Sequence, residues 1–325
     1  EELDIWTNHR KIQNYTKFPQ DFTFGVATSA PQIEGAWNVS GKSENVWDRL
    51  THSHPWAIAD GTNGDIACDS YNKYQEDVDA LAYLGVDFYR FSLSWARILP
   101  SGRIDKINPD GIRYYNDLLN ALAEKKIEPL VTIYHWDLPQ SLQDLGGWAN
   151  PKMIDYFRDY ANLCFKVFGD RVKFWVTINE PYEICEQGYG DDKKAPAILS
   201  HGVGNYLCSD TLLKAHAEVY HLYNDTYRPQ QKGKIIITIN SIWYEPQNPD
   251  NAEQVALAEV ANQFKVCYII LFLYNIDKRM VYKRSKIRSP FDILHYFLPH
   301  TFWRLCRVGF QTLDIDFLSS DGEDF

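Results

Sequence analysis

The sequence predicts an α/β chain whose strands and helices alternate into part of a closed (β/α)8 barrel, the TIM-barrel class. Two observations predict it. Strand-like runs are separated by helix-length segments, an order that lays consecutive strands in parallel with helices outside. Polar or aromatic residues also follow strand after strand: Gln32, Arg90, His135 with Trp136, and Asn179 with Glu180. That decoration collects at the carboxyl rim of such a barrel. The competing open doubly wound sheet needs a glycine-rich phosphate loop after its first strand, and Gly25-Val26-Ala27-Thr28-Ser29 lacks one.

The elements follow in order. A strand over 22–29 comes after Pro19, and a helix from Lys73 to Leu84 stops at Gly85. Apolar residues then alternate from Val86 to Trp95 as in a strand. A helix from Pro109 to Lys126 has Asn108 to cap it and proline in its first turn. The third strand is Leu130 to His135 and the third helix Lys152 to Phe168. Phe174 to Ile178 and Asp210 to Tyr227 form the fourth pair. Ile235 to Ile242 reads as a fifth strand buried on both faces, because its β-branched run is nearly continuous. Asn251 to Phe264 is the fifth helix. Five β/α units are legible where a closed barrel has eight.

Composition changes after Phe264. Residues 1–264 carry net charge −12 and residues 265–325 carry +2, with a basic cluster from Lys278 to Arg288 that reads as a solvated face. The sequence therefore divides into a partial barrel, 1–264, and a dissimilar tail, 265–325. The tail is expected to be loosely ordered, with Val266 to Tyr274 packing on the open sheet edge. The overall charge of −10 argues against nucleic acid and anionic membranes as partners. No apolar run reaches eighteen residues, so no spanning helix is expected.

The chain begins at Glu1 rather than Met, as a processed chain or an excerpt would. Asn14-Tyr15-Thr16, Asn38-Val39-Ser40 and Asn224-Asp225-Thr226 are glycosylation triplets. None of the six cysteines has zinc-site spacing. Cys185 and Cys208 could close the loop after the Glu180 strand, with free buried thiols as the alternative. Together these features favour the secretory pathway. Neither metal nor cofactor is predicted.

The segment Thr177-Ile178-Asn179-Glu180-Pro181 closes an apolar strand with an amide and a carboxylate side by side. A carboxylate there can protonate a leaving oxygen. Asn-Glu-Pro also reads as a turn that caps the next helix. Taken alone, His135 is a core histidine, Arg90 an ion-pair partner and Gln32 uninformative; their shared place after successive strands changes that.

Longer motifs support a resemblance. They are Phe-Gly-Val-Ala-Thr-Ser-Ala (24–30), Gln-Ile-Glu-Gly-Ala-Trp (32–37), Asp-Ser-Tyr (69–71), Tyr-Arg-Phe-Ser-Leu-Ser-Trp (89–95), Tyr-His-Trp-Asp-Leu-Pro (134–139) and the Glu180 element. From about Phe18 to Phe264 the chain resembles the family 1 glycoside hydrolases, a β-glucosidase family that includes myrosinases and lactase-type enzymes, and most of all their insect members. The resemblance implies retaining hydrolysis of β-glucosides. It makes Glu180 the acid/base and Asn179 the amide on the sugar 2-hydroxyl. Gln32, His135 and Trp136 would grip the sugar, and Arg90 would support the nucleophile.

Departures accompany it. The family's nucleophile lies in a Thr-Glu-Asn-Gly element, which this sequence lacks, and Pro31 stands where an aromatic is usual. Three readings follow: a glycosidase lineage whose chain is inactive, a glucoside-binding protein without chemistry, or a mis-spliced product without function. The acids Asp314, Asp316, Asp321, Glu323 and Asp324 offer no motif for a replacement nucleophile.

Overall fold

The computed structural model describes residues 18–240 and 242–262. Five parallel strands form one sheet in sequential order: β1 (Gly25–Ala27), β2 (Phe88–Ser92), β3 (Glu128–Tyr134), β4 (Phe174–Asn179) and β5 (Lys234–Thr238). Each strand pairs with the next, as in barrel winding. A doubly wound sheet would reverse its strand order at a switch point.

Among the described residues up to Thr238, six helices of eight residues or more accompany the sheet: α1 (Val46–Ser53), α2 (Ser70–Leu84), α3 (Pro109–Glu124), α4 (Met153–Phe168), α5 (Pro181–Tyr189) and α6 (Gly204–Leu222). The expected caps operate. Asn108 Oδ1 accepts from Asp110 N–H at 3.3 Å, and Pro109 opens α3. Gly85, at φ 69°, ends α2 with its N–H on the Leu81 and Ala82 carbonyls; that left-handed position suits a residue without Cβ. The sheet and α3, α4 and α6 bury one core, with Phe91, Val131, Trp175, Leu122, Phe157, Phe165 and Leu212 all at 3 % exposure or less. Trp95 stacks on Tyr160 at 4.6 Å inside it.

Several sequence expectations are corrected. The first strand is only Gly25–Ala27, because its ladder with β2 covers just those three residues. Trp95 does not end β2 but begins a helical turn, Trp95–Ile98. Helix α1 is an element that the sequence reading did not name. It is started by a capping box, in which Asn45 accepts from Trp47 and Asp48 N–H while Asp48 accepts from Asn45 N–H. The expected 210–227 helix starts earlier, at Gly204, and closes in a π turn, Tyr223–Tyr227. Strand β5 is not buried on both faces: Ile236 is 50 % exposed, since β5 is the last strand of the described sheet. It stops at Thr238 because its partner β4 ends where Glu180 turns the chain, at φ 52°.

The chain divides into two compact units, Glu1–Ile239 and Asn240–Phe325, so the compact boundary precedes the change in composition. In the second, a helix over 252–262 starts at Asn251, whose Oδ1 accepts from Glu253 and Gln254 N–H. The expectations for Val266 to Tyr274 and the rest of the tail lie outside the described residues.

Candidate active site

The carboxyl ends of the strands bring the expected residues to one rim. Gln32 lies just past β1, in a short helical turn, with its Oε1 accepting from Ser29 Oγ at 2.7 Å. Arg90 lies on β2, His135 and Trp136 directly follow β3, Asn179 ends β4 and Glu180 follows it. Gln32, His135, Trp136 and Glu180 all line one hollow of about 470 Å3, together with Trp47, Asp48 and Lys194.

Asn179 is the hub. Its Oδ1 accepts from Arg90 Nη2 at 2.6 Å and from Thr238 Oγ1 at 3.0 Å. The amide orientation is thereby fixed, since only the oxygen can accept. Its Nδ2 then donates to Glu180 Oε2 at 2.8 Å and lies 3.2 Å from His135 Nε2. An amide nitrogen cannot accept, so His135 Nε2 must, and the imidazole proton sits on Nδ1. Burial, helped by the Arg90 charge, lowers the His135 pKa to about 4, which keeps the ring neutral. Arg90 is further tied to Thr132 Oγ1 at 3.0 Å. Burial lowers the Arg90 pKa, and the Glu180 charge opposes that shift.

Two residues here carry backbone strain. Trp136 (φ 75°) and Glu180 (φ 52°) occupy the left-handed region, which bulky residues avoid unless the surroundings hold them there. Trp136 is held by its Nε1–H on the Asn179 carbonyl, 2.9 Å, and by Lys194 Nζ 4.5 Å from the ring centre. Glu180 is held by its N–H on the Thr238 carbonyl, 2.9 Å. The Glu180 carbonyl accepts from Ile184 N–H, so Glu180 is also the residue from which α5 springs. The turn reading of Asn-Glu-Pro is therefore correct, and the same turn leaves Glu180 lining the hollow.

The hollow has a second carboxylate, Asp48, but it is committed elsewhere. It accepts from Lys42 Nζ at 2.7 Å and Asn45 N–H at 3.0 Å, with both side chains of the ion pair buried. Beneath the rim, Arg97 is fully buried against Glu34 at 2.9 Å, and Tyr115 Oη donates to the same carboxylate. Sequence reasoning missed Lys194, Thr238 and this ion pair. Thr238 carried a usable signal, a polar residue closing the Ile235-Ile236-Ile237 run; Lys194 lies in a loop and carried none.

The family model described as "Glycosyl hydrolase family 1" matches residues 14–282. The chain belongs to glycosyl hydrolase family 1. The match continues past Phe264, where the motif resemblance ends. Myrosinase 1 of Brevicoryne brassicae is 54 % identical over 249 residues, 77 % of this chain and 53 % of that protein. Furostanol glycoside 26-O-beta-glucosidase of Hellenia speciosa is 42 % identical over 317 residues, 94 % of this chain and 55 % of that protein. The solved structure of an aphid myrosinase superposes with TM-score 0.73 at 46 % identity, covering 86 % of this chain and 63 % of that one. The chain thus spans about half the length of these two curated family 1 relatives.

Proposed function

We propose that the hollow is a β-glucoside site of the retaining type, in which Glu180 is the acid/base, and that this chain by itself does not complete hydrolysis. One observation carries the reading: Glu180 is hydrogen-bonded to Asn179 in the same hollow as Gln32, His135 and Trp136. Glu180 would give its proton to the glycosidic oxygen as the aglycone leaves, then take one from the attacking water. Asn179 faces the sugar 2-hydroxyl, and neutral His135 and Gln32 bond further hydroxyls. Trp136 offers an apolar face to the ring. Arg90 supplies fixed positive charge beside the place a nucleophile would occupy.

Retention needs a second carboxylate about 5–5.5 Å from the first, free to attack the anomeric carbon. Among the described residues the other carboxylate lining the hollow, Asp48, is buried in its bonds to Lys42 and Asn45, and the sequence has no Thr-Glu-Asn-Gly element. Purified chain should therefore bind an aryl β-glucoside, seen by ligand-observed NMR, and lose that binding in Asn179→Ala. It should release no aglycone, and Glu180→Gln should leave that null result unchanged. Turnover that disappears on Glu180→Gln would overturn the inactive reading. Absence of binding would overturn the site.

A further inference from the structure

Two of the three Asn-x-Ser/Thr triplets fall on described residues, and their settings differ. Asn38 is exposed, in a turn, and its side-chain amide has no hydrogen bond among the described residues. The backbone around it is anchored from the other side. The Trp37 ring packs edge-on against His52, with centres 4.5 Å apart, and Lys42 Nζ donates to the Trp37 carbonyl at 3.1 Å. Asn108 Nδ2 holds the Ser40 carbonyl at 2.8 Å. Trp37 is thus tied down while Asn38 projects. Asn224, by contrast, is half-buried in the π turn Tyr223–Tyr227, next to fully buried Tyr223. Its Nδ2 already donates to Asp225 Oδ1 at 2.7 Å.

A second, independent observation concerns the compartment. Cys185 and Cys208 form a disulfide with Cα atoms 5.4 Å apart, joining α5 to α6. Disulfides of this structural kind form and persist where proteins are oxidised during export, the same route on which glycans are attached to surface asparagines.

We propose that Asn38 is an N-glycan acceptor and that Asn224 is not. In the transfer, Asn38 Nδ2 bonds to C1 of a lipid-diphosphate-linked oligosaccharide. The C1–O bond breaks, the lipid diphosphate leaves with its electron pair, and one amide proton is lost.

The test expresses the full chain through a eukaryotic secretory pathway. The product is treated with peptide N-glycosidase in heavy-oxygen water, and its peptides are then mapped. Label is expected at position 38 and not at 224, and Asn38→Gln should remove one glycan from the mobility on a denaturing gel. Transfer occurs in the endoplasmic reticulum, so chain retained there reads as well as secreted chain. An unlabelled position 38, or equal labelling at 224, would overturn the proposal.

Discussion

Arg90 and Asn179, 89 residues apart in sequence, meet across the rim: Arg90 Nη2 donates to Asn179 Oδ1 at 2.6 Å. This bond decides what the rest of the site does. It turns the amide so that Nδ2 faces Glu180 and His135, and it sets the His135 tautomer. Arg90→Met should release that orientation. A hydrogen bond to a charged group contributes about 1.5–3 kcal/mol, so aryl β-glucoside binding is expected to weaken at least about tenfold. Arg90→Lys, which keeps the charge but loses the planar fork, should recover only part. Titration by ligand-observed NMR checks both; unchanged affinity in Arg90→Met would remove Arg90 from the site.

The Glu34–Arg97 pair is a structural centre. Both side chains are buried and 2.9 Å apart, and the Arg97 guanidinium also stacks 4.1 Å from the Tyr71 ring centre. Removing one partner leaves a buried charge alone, which costs about 3–5 kcal/mol. Arg97→Met should therefore lower unfolding free energy by about that much in urea titration. The double variant Arg97→Met with Glu34→Leu should be less destabilised than the single one.

The disulfide closes a loop of 23 residues' separation. Loop-closure entropy assigns it about 3 kcal/mol. The double variant Cys185→Ser with Cys208→Ser should lose that stability. The melting temperature of the parent should fall in reductant, and that of the variant should not.

Stability should also depend on pH through His216. Burial lowers its pKa from 6.5 to about 4, with the His221 charge adding to the shift; its Nδ1 lies 2.7 Å from Thr177 Oγ1. Between about pH 4 and 6.5 the unfolded chain binds a proton at this residue that the folded chain refuses. Stability therefore rises with pH across that window and is lost as pH falls through it. At about 1.4 kcal/mol per unit, the effect is roughly 3 kcal/mol. Denaturant midpoints at pH 4.5 and 7 should show the loss, and His216→Gln should reduce the difference between them.

The residues in sequence order determined much of this protein. Alternating runs such as Phe88 to Ser92 and helix punctuation at Asn108, Pro109 and Gly85 specify a parallel β/α order, because backbone period and capping are local properties. The motifs around Gln32, Arg90, His135, Trp136 and Glu180 were legible because each lies at a strand's carboxyl end, where the fold gathers them.

Tertiary structure decided the rest. The short β1, the exposed Ile236 and the early stop of β5 follow from which strands pair, not from the side chains of one segment. The left-handed turns at Trp136 and Glu180 are held by partners that fold against them, Asn179 and Lys194 for the first and Thr238 for the second. Lys194 reaches the Trp136 ring from a loop, and the Asp48 carboxylate is occupied by Lys42 and Asn45. Charge and hydrogen-bond partners act through space, so their effect on a site is fixed only once the chain has closed around it.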